Sequence, residues 1–127
     1  MKKTEFLAQV KAAGGLSSAK EAERWSKAVL TALIDVAPDS ETRRQFITQL
    51  PGFLKAPLLD EPPRALLMDH EAFVQHIGVA LEAHASKAEH ALTSVWSVVR
   101  KAISAGEIAD FQARIPKDVA AHLARMT

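Results

Sequence analysis

The chain has 127 residues, of which 48% are hydrophobic and 24% are charged, the proportions of an ordinary globular protein. Sixteen Lys and Arg residues against fifteen Asp and Glu residues leave a formal charge of +1, so the composition gives no concentrated positive field for nucleic acid or an anionic membrane. The absence of cysteine excludes a disulfide framework, a thiolate nucleophile and every zinc site that needs cysteine.

The N-terminal segment begins with Lys2 and Lys3, as export signals do, but it does not continue like one. Glu5, Gln9 and Lys11 interrupt any apolar stretch there. Nowhere does the sequence approach the roughly 20 consecutive apolar residues of a membrane-spanning helix. We therefore expect a cytoplasmic protein, a setting with which the cysteine-free composition agrees.

Apolar residues recur at helical spacing almost throughout the chain, and capping residues, glycines and prolines divide it into helices. Three helices are predicted in the first half: a short one ended by Gly14-Gly15, a long one that Ser17 or Ser18 caps and Pro38 stops, and a third that follows Asp39 and ends at Pro51. Between Gly52 and Ala56 we expect at most a short turn of helix, because Pro57 follows.

A proline-rich linker is predicted over residues 57–68. Three prolines, Pro57, Pro62 and Pro63, fall close together, and each disfavours helix at the residue before it. The apolar run Leu66-Leu67-Met68 follows directly. We expect this run to pack the end of the linker against the core.

The helical pattern then begins again. The second half is predicted to contain a helix capped by Asp69 and a longer helix capped by Ser86. A third helix begins at the capping box of Ser104 and Glu107 and ends at Pro116. A last helix is predicted over residues 118–126.

The two halves correspond in spacing and in residue type. Gln49-Leu50-Pro51 in the first half, for example, matches Arg114-Ile115-Pro116 in the second. Such self-similarity predicts an internal duplication. We therefore predict an all-α helical bundle in a single domain, built from two pseudo-repeats of about three helices each. The domain spans residues 1–127, with the first repeat at 4–58, the Pro-rich linker at 57–68 and the second repeat at 69–126.

Short motifs recur at corresponding places in the halves. Glu5-Phe6-Leu7 and Glu71-Ala72-Phe73 lie near the openings, Glu21-Ala22-Glu23-Arg24 lies in an Ala-Glu-rich long helix, and the two proline-ended motifs close a helix in each half. By the order and duplication of these motifs, the chain resembles the bacterial family known as domain of unknown function 2267, from about residue 4 to about residue 124. The resemblance implies a duplicated all-helical fold. It implies no activity, because the family is uncharacterised.

Histidine is concentrated in the second half. His76, His84 and His90 are eight and six positions apart, whereas two metal ligands on one helix face would be three or four positions apart. These three form a metal site only if they converge between helices, with Glu82 or Glu89 supplying an oxygen ligand. We favour surface or partly buried imidazoles and predict neither a metal nor a cofactor, with His76, His84 and His90 as the candidate ligands should a metal bind.

No catalytic constellation stands out. Acid–base catalysis needs titratable groups held in a cleft, but carboxylates such as those of Glu23, Asp35 and Glu82 are predicted to face solvent. The serines at helix starts serve as caps, and Gly14-Gly15 lacks the Lys-Ser or Lys-Thr of a phosphate-binding loop. We therefore predict no catalytic residues and expect that the protein is not an enzyme.

The two tryptophans receive different predictions. Trp25 shares the core-facing stripe of its helix and is predicted to be buried. Trp96 lies beside the corresponding stripe, so it is predicted either at the edge of the core or on a surface that meets a partner. Leu59, Leu67 and Met68 either cover the core or form a docking surface.

From these features we predict a non-catalytic helical interaction or assembly protein. It would contact a second copy of itself, as a homodimer, or another protein through Trp96, Leu59, Leu67 and Met68. The alternative is a protein that binds a metal or a small ligand through its histidine-rich second half. Neither hypothesis involves nucleic acid or a membrane.

Overall fold

The computed structural model describes residues 1–126. In this range the chain forms eight α-helices and no strand, which confirms the all-α prediction. No helix among these residues has the length and apolar character that crossing a membrane requires. The helices are α1 (Lys3–Gly14), α2 (Ala19–Asp35), α3 (Ser40–Thr48), α4 (Gly52–Leu59), α5 (His70–Leu81), α6 (Ala85–Ala102), α7 (Ala105–Arg114) and α8 (Lys117–Ala124).

Four helix starts carry the side-chain caps that the sequence predicts. The side-chain oxygens of Ser18, Asp39, Asp69 and Ser104 accept hydrogen bonds from backbone N–H groups three residues further on, at 3.2, 2.7, 2.8 and 3.4 Å. At the end of α1, Gly15 has the left-handed φ of 64° that favours glycine. These local contacts determine where the helices begin and end, because they satisfy backbone groups that a helix end leaves unpaired.

Helix α4 departs from the prediction, which allowed only a short turn before Pro57. The helix runs over Gly52–Leu59 with Pro57 inside it, so four helices rather than about three lie on each side of the segment between α4 and α5. Proline removes one backbone donor. However, the Leu58 side chain is buried, and Arg43 donates to the carbonyls of Leu58, at 2.6 Å, and of Glu61. This packing and the charged donor at the end of α4 outweigh the lost hydrogen bond.

Helix α6 begins two residues earlier than predicted. Its N-cap is His84, which forms no side-chain cap, and Ser86 lies inside the first turn. The reason is the tight exit from α5, where Glu82 has a left-handed φ of 52° and the N–H of Ala83 donates to the carbonyl of Gly78 at 2.9 Å. This turn brings the chain into α6 before it reaches the predicted serine cap.

Buried side chains from all eight helices form one hydrophobic cluster, which includes Trp25 as predicted. Helices from the two halves alternate in it, since α1 packs against α2 and α6, and α5 packs against the same two helices. Where α3 meets α7, the rings of Phe46 and Phe111 stack with their centroids 4.1 Å apart. Each half therefore covers apolar faces of the other.

The connector, residues 60–69 between α4 and α5, is not helical. It is attached to α2 by one backbone hydrogen bond, in which the N–H of Leu66 donates to the carbonyl of Asp35 at 2.7 Å. We call this contact the connector tether. The preceding residue, Ala65, has a φ of 48°, a left-handed conformation that costs a non-glycine residue of order 1 kcal/mol. The tether thus accompanies a strained backbone beside the end of α2.

Candidate functional site

The last residue of α2 carries a buried carboxylate. Asp35 is 3% exposed, and its neighbours Ile34 and Val36 are buried as well. Two effects oppose a negative charge here. Burial removes the hydration of the carboxylate, and the carboxyl end of a helix itself carries a partial negative charge. Such a group needs a donor from another part of the chain.

That donor is His76 on α5. Its Nε2 atom lies 2.8 Å from Oδ2 of Asp35, and its side chain is 28% exposed. With Nε2–H donating to the carboxylate, Nδ1 is the second polar atom of the ring, an acceptor when the imidazole is neutral and a donor when it is protonated. The pair therefore joins an enclosed anion to a group that reaches solvent.

Asp35 and His76 line an open groove of about 380 Å³. This groove, bounded by α2, α5 and the connector, has a volume within the range of small-molecule sites. Its other polar side chains are those of Arg24, Lys27, Thr31 and Arg64. The apolar lining is mostly alanine, and these small side chains leave the space between the helices unfilled.

This arrangement can hold and orient a small polar molecule. Asp35 fixes the orientation of the His76 ring and the nitrogen that carries its proton, as carboxylate partners of histidine commonly do. The guanidinium and ammonium groups along the groove add donors that carry full positive charge and form the stronger class of hydrogen bond. The polar groups of the groove are therefore suited to an electron-rich ligand.

A second histidine cluster joins α5, α6 and α8. Oδ2 of Asp118 accepts a hydrogen bond from the backbone N–H of His70 at 2.7 Å and lies 2.8 Å from Nδ1 of the same residue. Nε2 of His122 lies 2.6 Å from Oε1 of Glu89, and the two imidazole rings stack with centroids 4.8 Å apart. The backbone N–H of His70, aided by its ring, holds the pKa of Asp118 below the ordinary value. The cluster acts as a polar clamp between helices.

The candidate metal ligands do not meet. His76 pairs with Asp35, Nε2 of His90 lies 3.0 Å from the carbonyl of Gly14, and His84 is exposed at the start of α6. Across residues 1–126, no group of three or more His, Cys, Asp or Glu side chains is placed to hold a metal ion. The convergence between helices on which metal binding depended is not formed, because His76 and His90 contact different groups and His84 is exposed.

The four side chains predicted to meet a partner lie in different environments. Trp96 is fully buried, so both predicted places, the edge of the core and a surface that meets a partner, are wrong; α6 packs against α1, α2 and α5 and leaves this face no access to solvent. Leu67 is 93% exposed and Leu59 is 47% exposed, whereas Met68 packs partly against the core. Of the four, the two leucines are the ones available to a partner.

Sequence reasoning missed Asp35, which it placed facing solvent. The signal was present, because this carboxylate interrupts the apolar run Leu33-Ile34-Asp35-Val36-Ala37 at the end of a long helix. The histidine–carboxylate contacts of the second cluster carry no comparable signal. Their partners are 48 and 33 positions apart in the chain, so only the packing of the helices brings them together.

Fold and groove together define an all-α protein with a cationic groove in which a buried aspartate pairs with a partly exposed histidine. The model of the family described as uncharacterized conserved protein (DUF2267) matches residues 3–122 of the chain. The chain therefore belongs to this family, which confirms the resemblance seen in its motifs. No curated protein matches the chain in sequence. Family membership brings no activity with it, so the groove and its polar side chains are the features that bear on function.

We predict that Asp35 and His76 are coupled in their contribution to stability. His76→Ala leaves the carboxylate buried without its donor and should lower the free energy of unfolding by roughly 2 kcal/mol at neutral pH, the usual cost of leaving a buried acceptor without its hydrogen bond. In an Asp35→Asn background the same change should cost less, because a neutral amide needs less compensation than a charge. Urea denaturation of the four proteins measures both costs.

The matched control is His84→Ala, since this histidine is exposed and lies outside the groove. It should change the free energy of unfolding by less than about 0.5 kcal/mol. If the effects of Asp35→Asn and His76→Ala add within about 0.5 kcal/mol, the two residues are not coupled and the prediction is wrong.

We predict a pH-dependent contribution from Asp118. Its pKa is lowered in the folded protein, chiefly by the backbone N–H of His70, so the carboxylate stabilises the fold above the ordinary aspartate pKa of 3.8 and loses that effect as the pH falls through the lowered value. Asp118→Asn should therefore lower the melting temperature at neutral pH. Its difference from the unchanged protein should shrink below about pH 4, as thermal melts over a pH series will show.

Asp110→Asn serves as the control for Asp118→Asn, because Asp110 is an exposed aspartate on the neighbouring helix α7. Its melting temperature should stay close to that of the unchanged protein at every pH. A deficit of Asp118→Asn that is equally large at neutral pH and at about pH 3 would contradict the assignment.

Proposed function

We propose that this protein binds a small ligand in the groove between α2, α5 and the connector, and that it does so without catalysing a reaction. The observation that carries the proposal is the Asp35–His76 pair, in which a carboxylate at 3% exposure is compensated by an imidazole that lines the groove. A concave site with a few convergent polar groups is the usual form of a ligand site.

Two features support binding rather than catalysis. The groove is open to solvent, whereas catalytic sites commonly exclude water from the reacting groups. The polar groups around His76 are mainly Arg and Lys, which hold a ligand but do not accept a proton at neutral pH. These features favour retention of a ligand over its conversion.

We further infer that the chain consists of two copies of one four-helix unit, joined by the connector, which overlaps the predicted Pro-rich linker at 57–68 except for residues 57–59 at the end of α4. In support, the helices of the two halves have 12, 17, 9 and 8 residues and 12, 18, 10 and 8 residues in order. Pro51 and Pro116 both act as N-caps, of α4 and α8, with φ of −54° and −52°.

The two copies of the unit differ at the positions of the Asp35–His76 pair. When the copies are aligned on their opening phenylalanines and on their long helices, the positions that correspond to His76 and Asp35 hold Gln9 and Lys101. The repeated architecture therefore does not itself require a carboxylate and an imidazole at this contact. This asymmetry supports a specialised role for the groove on one side of the bundle.

The groove is tested by filling it. Ala80 is exposed and lines the groove, so Ala80→Trp should occupy the space without a change in the core. Nuclear magnetic resonance spectra of ¹⁵N-labelled protein with a library of small fragments should show shifts at His76 and Arg64, and these should be absent in A80W. Ala113→Trp, at an exposed position on α7, is the matched control and should retain them. Shifts that lie wholly outside the groove, or no shifts, would contradict the proposal.

A second function, contact with a protein partner, is favoured by one observation. Leu67 is 93% exposed, while Leu66 and Met68 on either side of it are half-buried. The connector thus turns its central leucine outward instead of into the core. The proposed partner is a second copy of the chain or another protein. For either function we propose a cytoplasmic setting, which the cysteine-free composition supports.

If a second copy is the partner, Leu67→Asp should convert a dimer into a monomer, because a carboxylate cannot be buried in an apolar contact without a large desolvation cost. Native mass spectrometry and sedimentation give the mass of each species. Ala109→Asp, at an exposed position on α7, is the control and should not alter the mass. A monomeric unchanged protein, or a dimer that persists in L67D, would exclude this contact.

A further inference from the structure

We propose that the groove selects phosphorylated small molecules, with Arg24, Lys27 and Arg64 as the residues that hold the phosphate group. All three side chains line the groove. This inference rests on the proposed function and adds to it the chemical class of the ligand.

The charge along the groove is the first argument. Among the described residues that line it, Asp35 is the sole carboxylate, and His76 already compensates it. With His76 counted as neutral, the three cations and the Asp35 carboxylate leave a formal charge of +2 among the lining residues. A phosphate monoester carries roughly −1.5 to −2 at neutral pH. The charge of the lining residues is therefore of the size that one phosphate group carries, and the acidic side chains just outside the lining reduce it.

Two acidic side chains outside the lining contact these cations, and both contacts are loose. Oε1 of Glu23 lies 3.6 Å from Nζ of Lys27, and Oε2 of Glu82 lies 3.9 Å from Nη2 of Arg24. Exposed ion pairs of this kind contribute little to stability, so a phosphate dianion displaces them readily. Arg64 makes no ion pair within residues 1–126 and is available to the ligand without such an exchange.

The fold positions two of the three cations. Nη2 of Arg24 donates to the carbonyl of Leu81 at 3.2 Å, which restrains the guanidinium group while its other N–H groups remain for a ligand. Arg64 directly precedes Ala65, the residue with the left-handed φ of 48°, and the connector tether holds the backbone just beyond it. Strain of this kind persists where the surrounding structure enforces it, and it concentrates at binding sites.

The number of donors distinguishes phosphate from carboxylate. Guanidinium groups match the oxygens of both anions in geometry, so geometry alone does not decide between them. A phosphate group presents three terminal oxygens, which is enough for the two guanidinium groups and for His76 Nδ1 in its protonated form. A carboxylate offers two oxygens and one negative charge, and it would leave part of the positive charge uncompensated.

Calorimetric titration of the full chain with three aromatic probes of similar size tests the inference. Phenyl phosphate should bind at least about tenfold more tightly than benzyl alcohol, with benzoate between them, because charge-assisted hydrogen bonds are the strong ones. Arg64→Gln should weaken phenyl phosphate about fivefold to tenfold and leave benzyl alcohol unchanged. Arg100→Gln, an exposed arginine on α6 outside the groove, is the matched control and should change neither.

The outcomes separate the ligand class from the proposed function. Benzoate that binds as tightly as phenyl phosphate would overturn selection for phosphate. Benzyl alcohol that binds as tightly as both anions, with shifts at His76, would overturn the anion class while the groove remains a ligand site. If none of the three probes shifts the resonances of groove residues, this inference fails, while the proposed function is decided separately by the fragment library.

Discussion

Asp35 makes two contacts with different parts of the chain, and the groove depends on both. Its carboxylate is hydrogen-bonded to Nε2 of His76 at 2.8 Å. Its backbone carbonyl accepts a hydrogen bond from the N–H of Leu66 at 2.7 Å. The first contact joins the end of α2 to α5, and the second sets where the connector passes over α2. Because a buried carboxylate without a partner is strongly destabilising, the first contact is a constraint that the fold must satisfy. One residue thereby fixes two of the boundaries of the groove.

The sequence predicted helix ends that are set by contacts within one turn. It did not predict features that depend on contacts between distant parts of the chain. Caps such as Asp39 and Asp69 act within one turn, so the sequence alone predicted their positions. Pro57 signalled the end of a helix, but Arg43 reaches from α3 and satisfies carbonyls at the end of α4. Periodicity placed Trp96 beside the apolar stripe of its helix. It does not show that α6 is surrounded by three other helices, which leaves the tryptophan no solvent-facing side.

The candidate site was less readable than the fold. Histidines were correctly singled out as the unusual feature, but spacing along the chain says nothing about partners on other helices. Four of the five pair with groups far away in sequence: His70 with Asp118, His76 with Asp35, His90 with the carbonyl of Gly14 and His122 with Glu89. These imidazoles link one helix to another, and His76 also lines the groove between α2, α5 and the connector. Arg64 drew no attention because its role depends on where the connector lies against α2.

The alternation of helices in the core bears on how much the order of the chain matters. Because α1 lies on α6 as well as on α2, and α5 lies on α2 as well as on α6, each half packs both against its own helices and against the other half. The connector mainly supplies proximity, since it keeps the complementary halves at a high effective concentration. A chain cut between Pro62 and Pro63 should therefore give two fragments that associate, because each covers apolar faces of the other.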